Sequence, residues 1–263
     1  MASIALLAKG ARLKRRESGA GVNYTLIGDV HLLDQSTHPA YVKLLDPRRL
    51  ANELLAVELA DRMHLAVPQA FVVKLRRTDH AELFKSLAIQ VDEVFGFGTR
   101  GLPAEPLAKA FNVADPAFVR WFFVTLKQWK DVAAFDTWIA NSDRHTNNLL
   151  IDKQLKLWLI DHDLAFGGHA DVAGLKHDEV TANRLVNDFG PLVDLRHRHE
   201  VVDECHTFQA RAGAVDLDDA ARASSASLFL SEKDTNQLVL YVRQRTALIS
   251  SILAGALGVP LLT

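Results

Sequence analysis

IANSDRHTNNLLIDKQLKLWLIDHDLAF, residues 139–166, is the most informative stretch of the chain. An apolar helix end breaks at Asn141, and two short apolar runs follow, at Asn148–Ile151 and Leu155–Ile160. Their length and composition predict two strands of a hairpin. Polar residues lie at both of its ends, and loops at strand ends are where functional sites usually lie. We therefore expect the chemistry of the protein at this hairpin.

The spacing of three polar residues indicates the kind of chemistry. Asn148 follows Asp143 by five positions, and Asp161 follows Asn148 by thirteen. The same separations occur between the catalytic Asp, the metal-binding Asn and the metal-binding Asp of protein kinases. Such a carboxylate orients the attacking hydroxyl, and Mg²⁺ takes amide and carboxylate oxygens. We predict Asp143 as the catalytic residue and Asn148 and Asp161 as metal ligands, with Asp163 also within reach of the metal.

The Asp-Arg-His-x-x-Asn segment has a simpler interpretation. Asp143 could cap a turn, Arg144 could pair with a carboxylate and Asn148 could bond to the backbone, because Asp and Asn favour turns for local reasons. The apolar strand that ends in Asp161 favours the catalytic interpretation. We expect His145 to be structural and Asp136 to brace the loop, while Arg144 could brace Asp161 or Asp163 or meet a substrate.

The segments FDTWIANSDRHTNNLLI (135–151) and LWLIDHDLAF (157–166) resemble the HipA-like kinase family. A looser resemblance extends to phosphoinositide lipid kinases, which also carry Asp-Arg-His-x-x-Asn and a later Ile-Asp. The resemblance implies an α+β, bilobal protein-kinase-like fold, with a small β-rich N-terminal lobe and a larger, mainly helical C-terminal lobe. It also implies ATP and Mg²⁺ as cofactors and transfer of the γ-phosphoryl group to a protein Ser or Thr hydroxyl.

The acceptor and the partners stay open at this level. The same site chemistry would serve a small-molecule or lipid kinase, and a pseudokinase that acts as a binding module is a further alternative. HipA-like kinases include toxins that an antitoxin neutralises, so an antitoxin-like protein partner is implied by family analogy alone.

A lysine in the predicted strand Ala40–Leu45 is the candidate for holding phosphates. Lys43 is followed by an apolar-patterned helix over Asn52–Ala60, and kinase-like lobes pair a strand lysine with a helix glutamate. The resemblance of "YVKLL" and "NELLAVELA" places that glutamate at Glu53, with Glu58 as the second choice. The alternative is a strand lysine that points to solvent.

Two glycines, Gly19 and Gly21, lie in a turn between predicted strands. Glycine lets backbone N–H groups approach an anion closely, so these residues are candidates for a phosphate-covering loop. An ordinary hairpin turn explains the same residues equally well.

Glycine and proline concentrate at Gly96–Pro103, a composition typical of a linker. We therefore divide the chain into an N-terminal nucleotide-binding lobe, 1–97, and a C-terminal catalytic lobe, 98–263. The preceding run Leu83–Val91 is predicted to be a strand. The HipA-like family carries a similar Phe-Gly-Ser/Thr-Arg segment, and this resemblance implies that backbone near Ile89–Val94 meets the adenine. Further on, Asp115-Pro116 predicts the start of a helix through Trp129, and Ser231 predicts the start of another.

Composition excludes several classes of protein. Of 263 residues, 49% are hydrophobic and 24% charged, as in globular domains. A net charge of −2 gives no electrostatic basis for binding nucleic acid. The single cysteine, Cys205, cannot form an internal disulfide and is expected to be buried. The N-terminus does not follow the secretory pattern, and apolar runs are too short to span a membrane, so we expect a cytoplasmic protein.

Overall fold

A computed structural model describes residues 2–13 and 24–260. The N-terminal part is mainly β-structure, and the C-terminal part is mainly helical, which confirms the predicted α+β class. The first part contains β1 (Ser3–Leu7), β2 (Arg12–Leu13), β3 (Tyr24–Leu32), β4 (Thr37–Leu44), α1 (Pro47–Arg62), β5 (Ala70–Arg76), α2 (Ala81–Ser86) and β6 (Glu93–Arg100).

The strands of this part form a sheet that closes on itself. Its order is β1-β5-β6-β4-β3-β2, and β1 also pairs with β3. Strand β1 is parallel to β5 and antiparallel to β3, with Leu6 opposite Lys74 on one side and His31 on the other. Closure removes the open edges that β1 and β3 would otherwise expose. The interior is filled by apolar side chains, among them Leu26, Val30, Val42, Phe71, Val73 and Leu75.

Helix α1 lies on the outer face of this barrel. Asp46 caps it by accepting a hydrogen bond from the Arg49 N–H, and Pro47 occupies the first turn, where proline costs no hydrogen bond. Leu50 and Leu54 pack against Val72 and Phe97. This contact fixes α1 against β5 and β6.

The predicted linker at Gly96–Pro103 is wrong, because its first half forms β6. This strand lies between β4 and β5 in the sheet. A Cβ atom at Gly98 would lie 2.5 Å from Val73 Cγ2, and one at Gly96 would lie 2.8 Å from the Lys43 carbonyl oxygen. Glycine therefore marks close packing here rather than a flexible connection. The sheet extends to Arg100, past the division expected after residue 97, and the domain division stays a prediction.

The strand expected at Leu83–Val91 is also wrong. Its first residues belong to the short helix α2, which buries Phe84 against the barrel interior. A short apolar run does not distinguish a strand from a buried helical turn, and here burial of one aromatic ring decides the outcome.

The C-terminal part begins with β7 (Ala104–Pro106), α3 (Leu107–Ala110) and α4 (Pro116–Arg120). Asp115 caps α4 as predicted, accepting from the Ala117 N–H. The single helix expected through Trp129 is interrupted by a π-helical turn, Trp121–Thr125, before α5 (Gln128–Trp138) begins. The remaining elements are β8 (Leu149–Asp152), β9 (Leu157–Leu159), α6 (Arg184–Phe189), α7 (Leu195–Gly213), α8 (Leu217–Ala223), α9 (Glu232–Thr246) and α10 (Ile249–Leu257).

Helices α5, α7, α9 and α10 share one apolar core. Its largest buried apolar side chains are Trp129 and Trp138 of α5, and Phe135 of α5 and Phe208 of α7 are buried in it as well. Cys205 is buried there as expected, and burial raises the pKa of its thiol to about 11. Ser231 caps α9 through the Asp234 N–H, as the sequence predicts. Within residues 2–13 and 24–260, the helices are all too short or too polar to cross a membrane.

Candidate active site

The predicted hairpin is present and brings its two polar ends together. Strands β8 and β9 are antiparallel, with Leu149 opposite Leu159. The Ile160 N–H donates to the Asn148 carbonyl oxygen at 3.2 Å. The residues that precede β8 therefore lie beside those that follow β9.

A buried ion pair supports the loop before β8. Arg144 and Asp136 are both fully buried; Arg144 Nε lies 2.9 Å from Asp136 Oδ2, and Nη2 lies 3.1 Å from Oδ1. Arg144 Nη1 also donates to the carbonyl oxygens of Asn148 and Ile160. The expected bracing role of Asp136 is confirmed. Arg144 uses its donors on Asp136 and the backbone, so the suggestion that it braces Asp161 or Asp163 is wrong.

Asp143 is held open to solvent beside this buried pair. Its side chain is 38% exposed, and its Oδ1 lies 3.1 Å from Arg184 Nη1. Its Oδ2 is 3.8 Å from His145 Nε2, while His145 Nδ1 accepts from the Asn147 N–H. Burial lowers the pKa of His145. The nearby charge of Arg184 lowers this pKa further, whereas the carboxylates of Asp143 and Asp161 oppose the shift. Asp143 therefore lies between an arginine and an imidazole ring.

Lys43 points from the sheet toward α1 and the hairpin. It lies opposite Phe97 in the β4–β6 pair, so both side chains are on the face that α1 covers. Lys43 Nζ lies 2.7 Å from Glu53 Oε1 and 2.7 Å from Asp161 Oδ1. Burial alone would lower the pKa of Lys43, but the carboxylates of Asp161 and Glu53 outweigh it and raise that pKa. The second choice, Glu58, pairs with Arg62 instead.

Glu53 joins this lysine to the strand end. It is fully buried, and its Oε2 accepts from the His162 N–H at 2.9 Å. Burial would raise the pKa of Glu53, but Lys43 and His162 outweigh that effect and lower it. The His162 ring is buried too, and burial together with the nearby Arg144 charge lowers its pKa. Glu53 is therefore a carboxylate whose charge depends on Lys43.

Asp161 and Asp163 have different surroundings. The Asp161 side chain is 31% exposed, and its backbone has a φ of 65°, a left-handed conformation that Asp tolerates better than most residues. The Asp163 side chain is 9% exposed, and its Oδ2 lies 3.2 Å from Arg49 Nη1. The more open carboxylate is the better candidate for a metal ligand, so the geometry favours Asp161.

Asn148 uses its amide nitrogen to donate to the Asp143 carbonyl oxygen at 2.9 Å. The simpler interpretation of the motif expected Asn148 to bond to the backbone and Arg144 to pair with a carboxylate, and both contacts are present. Neither contact uses the Asn148 side-chain oxygen, which is available to a metal. Among the described residues, no cluster of three or more His, Cys, Asp or Glu could hold a metal. One amide and one carboxylate nevertheless suit Mg²⁺, which keeps waters and binds phosphates as its other ligands.

Two residues that the sequence analysis did not single out hold the strand end in place. Asn52 is fully buried, and its Nδ2 donates to the carbonyl oxygens of Asp163, Ala165 and Gly168. Arg49 pairs with both Asp46 and Asp163. A polar residue on the buried face of α1 was the only sequence signal for Asn52. The candidate phosphate-loop glycines Gly19 and Gly21 lie outside the described residues.

Comparison with known proteins identifies the family. Residues 37–214 match the family model described as HipA-like kinase. Because this match spans more than half of the chain, the chain belongs to the HipA-like kinase family and is a phosphotransferase. A search of curated proteins finds no match.

Comparison with solved structures supports the architecture through one match. The Helicobacter pylori proinflammatory kinase CtkA matches with a TM-score of 0.55 at 12% identity, covering 97% of this chain and 98% of that one. The complete CtTel1 dimer matches with a TM-score of 0.40 at 13% identity, covering 90% of this chain and 12% of that one. The CtkA match confirms the protein-kinase-like fold; the second is too weak to support an argument.

Proposed function

We propose that the region where Lys43 of the barrel meets Asp161 of the hairpin, which we call the cleft, binds ATP with Mg²⁺. The γ-phosphoryl group is transferred there to a Ser or Thr hydroxyl of a protein. In this proposal Lys43 holds the α- and β-phosphates, and Glu53 holds Lys43. Asn148 and Asp161 are the metal ligands, and Asp143 orients the acceptor hydroxyl.

The observation that carries the proposal is the position of Lys43 Nζ between two carboxylates. Glu53 is on α1, and Asp161 is at the strand end, 118 positions after Lys43. A carboxylate oxygen of each residue lies 2.7 Å from the Lys43 ammonium. A lysine between a helix glutamate and a metal-binding aspartate is the arrangement that kinases use to place phosphates. A surface lysine would not need two carboxylates from different parts of the fold.

The remaining groups fit the reaction by position. A new bond forms between the hydroxyl oxygen and the γ-phosphorus while the bond from that phosphorus to ADP breaks. The hydroxyl proton leaves toward Asp143, whose carboxylate is exposed to an incoming acceptor. Mg²⁺, when bound, would neutralise phosphate charge. The β8–β9 pairing supports the two metal ligands Asn148 and Asp161, because the Ile160 N–H, one residue before Asp161, donates to the Asn148 carbonyl oxygen.

Labelled ATP tests the reaction and its acceptor. The purified chain is incubated with labelled ATP, alone and with a cell lysate, and the label is traced to protein, lipid or small molecules. We expect label on protein. Label found only on lipids or small molecules would contradict a protein acceptor but still show that the chain is a kinase. If no label is transferred, a binding module is favoured.

The variant Asp143→Asn tests the role of the base. We expect nucleotide affinity to stay nearly intact while phosphoryl transfer falls by about 10²-fold or more, as is typical for a lost general base. Calorimetry measures the affinity, and transfer of label measures the rate. Equal losses of affinity and rate would instead make Asp143 structural.

A further inference from the structure

Arg184 is the cation that contacts the candidate catalytic carboxylate. It is the first residue of α6, and its Nη1 lies 3.1 Å from Asp143 Oδ1. Its Nε lies 3.6 Å from Asp188, and its side chain is 50% exposed. Among the residues that the structure describes, Arg184 Nη2 has no hydrogen bond or ion pair. This half-exposed guanidinium therefore has one nitrogen available for a ligand beside Asp143.

The backbone that carries Arg184 is firmly anchored. The preceding residue, Asn183, is buried and caps α6 by accepting from the Val186 N–H. Its Nδ2 donates to Ala133 and Thr137 of α5, at 2.9 and 3.1 Å. Helix α5 also carries Asp136, which supports the loop of Asp143. Arg184 and Asp143 are thus held against the same helix from two directions.

The two cations of the site, Lys43 and Arg184, contact different carboxylates. Lys43 lies between Glu53 and Asp161, which places its charge on the nucleotide side. Arg184 lies at Asp143, where the acceptor hydroxyl and the γ-phosphorus must meet. A planar guanidinium can contact a carboxylate and a phosphoryl oxygen at once.

We propose that Arg184 is a catalytic residue that binds the transferring phosphoryl group. Its Nη1 stays on Asp143 Oδ1, and Nη2 donates to a non-bridging phosphoryl oxygen as the bond to ADP breaks and the bond to the acceptor forms. Arginines that act in this way stabilise the negative charge of the transition state. The inference rests on the proposed kinase function of the same cleft.

The test uses a mimic of the transferring group, so it does not depend on knowing the acceptor. Binding of Mg·ADP is measured by calorimetry with and without fluoroaluminate for the wild type, Arg184→Ala and Arg184→Lys. We expect fluoroaluminate to tighten Mg·ADP binding in the wild type. Arg184→Ala should bind Mg·ADP normally and lose about 10²-fold of that tightening or more, while Arg184→Lys recovers part of it.

Arg243→Ala is the matched control. Arg243 is 53% exposed, close to the 50% of Arg184, and it pairs with an exposed aspartate, Asp218, at 2.8 Å, but it is on α9 rather than beside Asp143. This variant should keep the whole effect of fluoroaluminate. Melting temperatures of all variants show whether each one is folded.

Four results would overturn the inference. In the first, Arg184→Ala retains the fluoroaluminate effect. In the second, this variant loses Mg·ADP binding together with the effect, which indicates a structural role. A wild type that binds Mg·ADP without any fluoroaluminate effect also contradicts the role of Arg184, but it leaves nucleotide binding intact. A wild type that binds no Mg·ADP removes the proposed function itself and the inference with it.

Discussion

Two arginine–aspartate pairs lie at the catalytic loop, one of them formed by the candidate catalytic residue Asp143, and they differ in burial and in hydrogen bonding. Arg144 and Asp136 are fully buried and joined by two hydrogen bonds. Arg184 and Asp143 are joined by one contact of 3.1 Å and are 50% and 38% exposed. The first pair supports the loop, and the second lies at its open surface.

Burial distinguishes the two pairs: the buried pair has a structural role, and the exposed pair is accessible to a substrate. Arg144 has its donors on Asp136 and two carbonyl oxygens, so it cannot turn toward a ligand without leaving buried groups unpaired. The Arg184–Asp143 pair is solvated and costs little to separate. An incoming substrate can therefore reach the second pair, whereas the first stays buried.

Breaking the buried pair should have the largest effect on stability. Arg144→Ala leaves Asp136 buried without its cation, and we expect a loss of about 3–5 kcal/mol in the free energy of unfolding. Denaturant unfolding measures it, and Arg184→Ala should change the same quantity by less than about 1 kcal/mol.

If Arg144→Ala does not fold, Arg144→Lys serves in its place. It keeps the charge but cannot form both hydrogen bonds to Asp136, so an intermediate loss is expected. Similar losses for the Arg144 and Arg184 variants would contradict the division between a buried and an open pair.

Lys43 provides an intermediate case, because one of its carboxylates is buried and the other is partly open. Lys43→Met leaves Glu53 unpaired, so we expect a loss of about 1–3 kcal/mol in unfolding free energy. The gain in melting temperature from Mg·ATP should disappear as well, because the phosphates lose their cation.

The matched control for Lys43 is Lys74→Met, which removes another strand lysine with a single carboxylate partner, Glu93. It should cost no more than about 0.5 kcal/mol and keep the nucleotide effect. An unchanged Mg·ATP shift in Lys43→Met would mean that another group holds the phosphates.

The smallest effect is expected from pH, through His162 beside Glu53. Its pKa is lowered by burial in the folded state, so the unfolded chain binds the proton more readily. The contribution of neutral His162 to the free energy of unfolding is therefore fully present above about pH 6.5. It should fall at lower pH, by at most about 1.4 kcal/mol per pH unit.

Unfolding measured at several pH values in wild type and His162→Gln tests this expectation. The substitution should remove that part of the pH dependence, while the same change at exposed His31 should not. Parallel curves for wild type and His162→Gln would show that other groups set the acid sensitivity.

Several features followed from the sequence because they depend on local order. The apolar runs around residues 149–159 predict the β8–β9 hairpin, and Asp115 and Ser231 predict two helix starts, since capping is a contact between near neighbours. The spacing of Asp143, Asn148 and Asp161 points to phosphoryl transfer for a similar reason. A hairpin of given length fixes which residues meet at its end.

Other features were decided only by the tertiary structure. Gly96 and Gly98 have the composition of a linker but lie in a strand, because the neighbouring strands leave no room for a Cβ atom. The role of Asn52 depends on carbonyl groups more than a hundred positions away. Likewise, Arg184 reaches Asp143 across 41 positions, and no local pattern records such a contact.

The sequence by itself therefore determined the chemical class of the groups at the hairpin, because short spacings along a strand or turn translate directly into distances. Only the fold decided which cations accompany those groups and which of them are buried. Packing of α1 on the barrel and the hydrogen bonds from the α6 cap Asn183 to α5 determine those neighbours, and burial determines whether a charged group can contact a ligand.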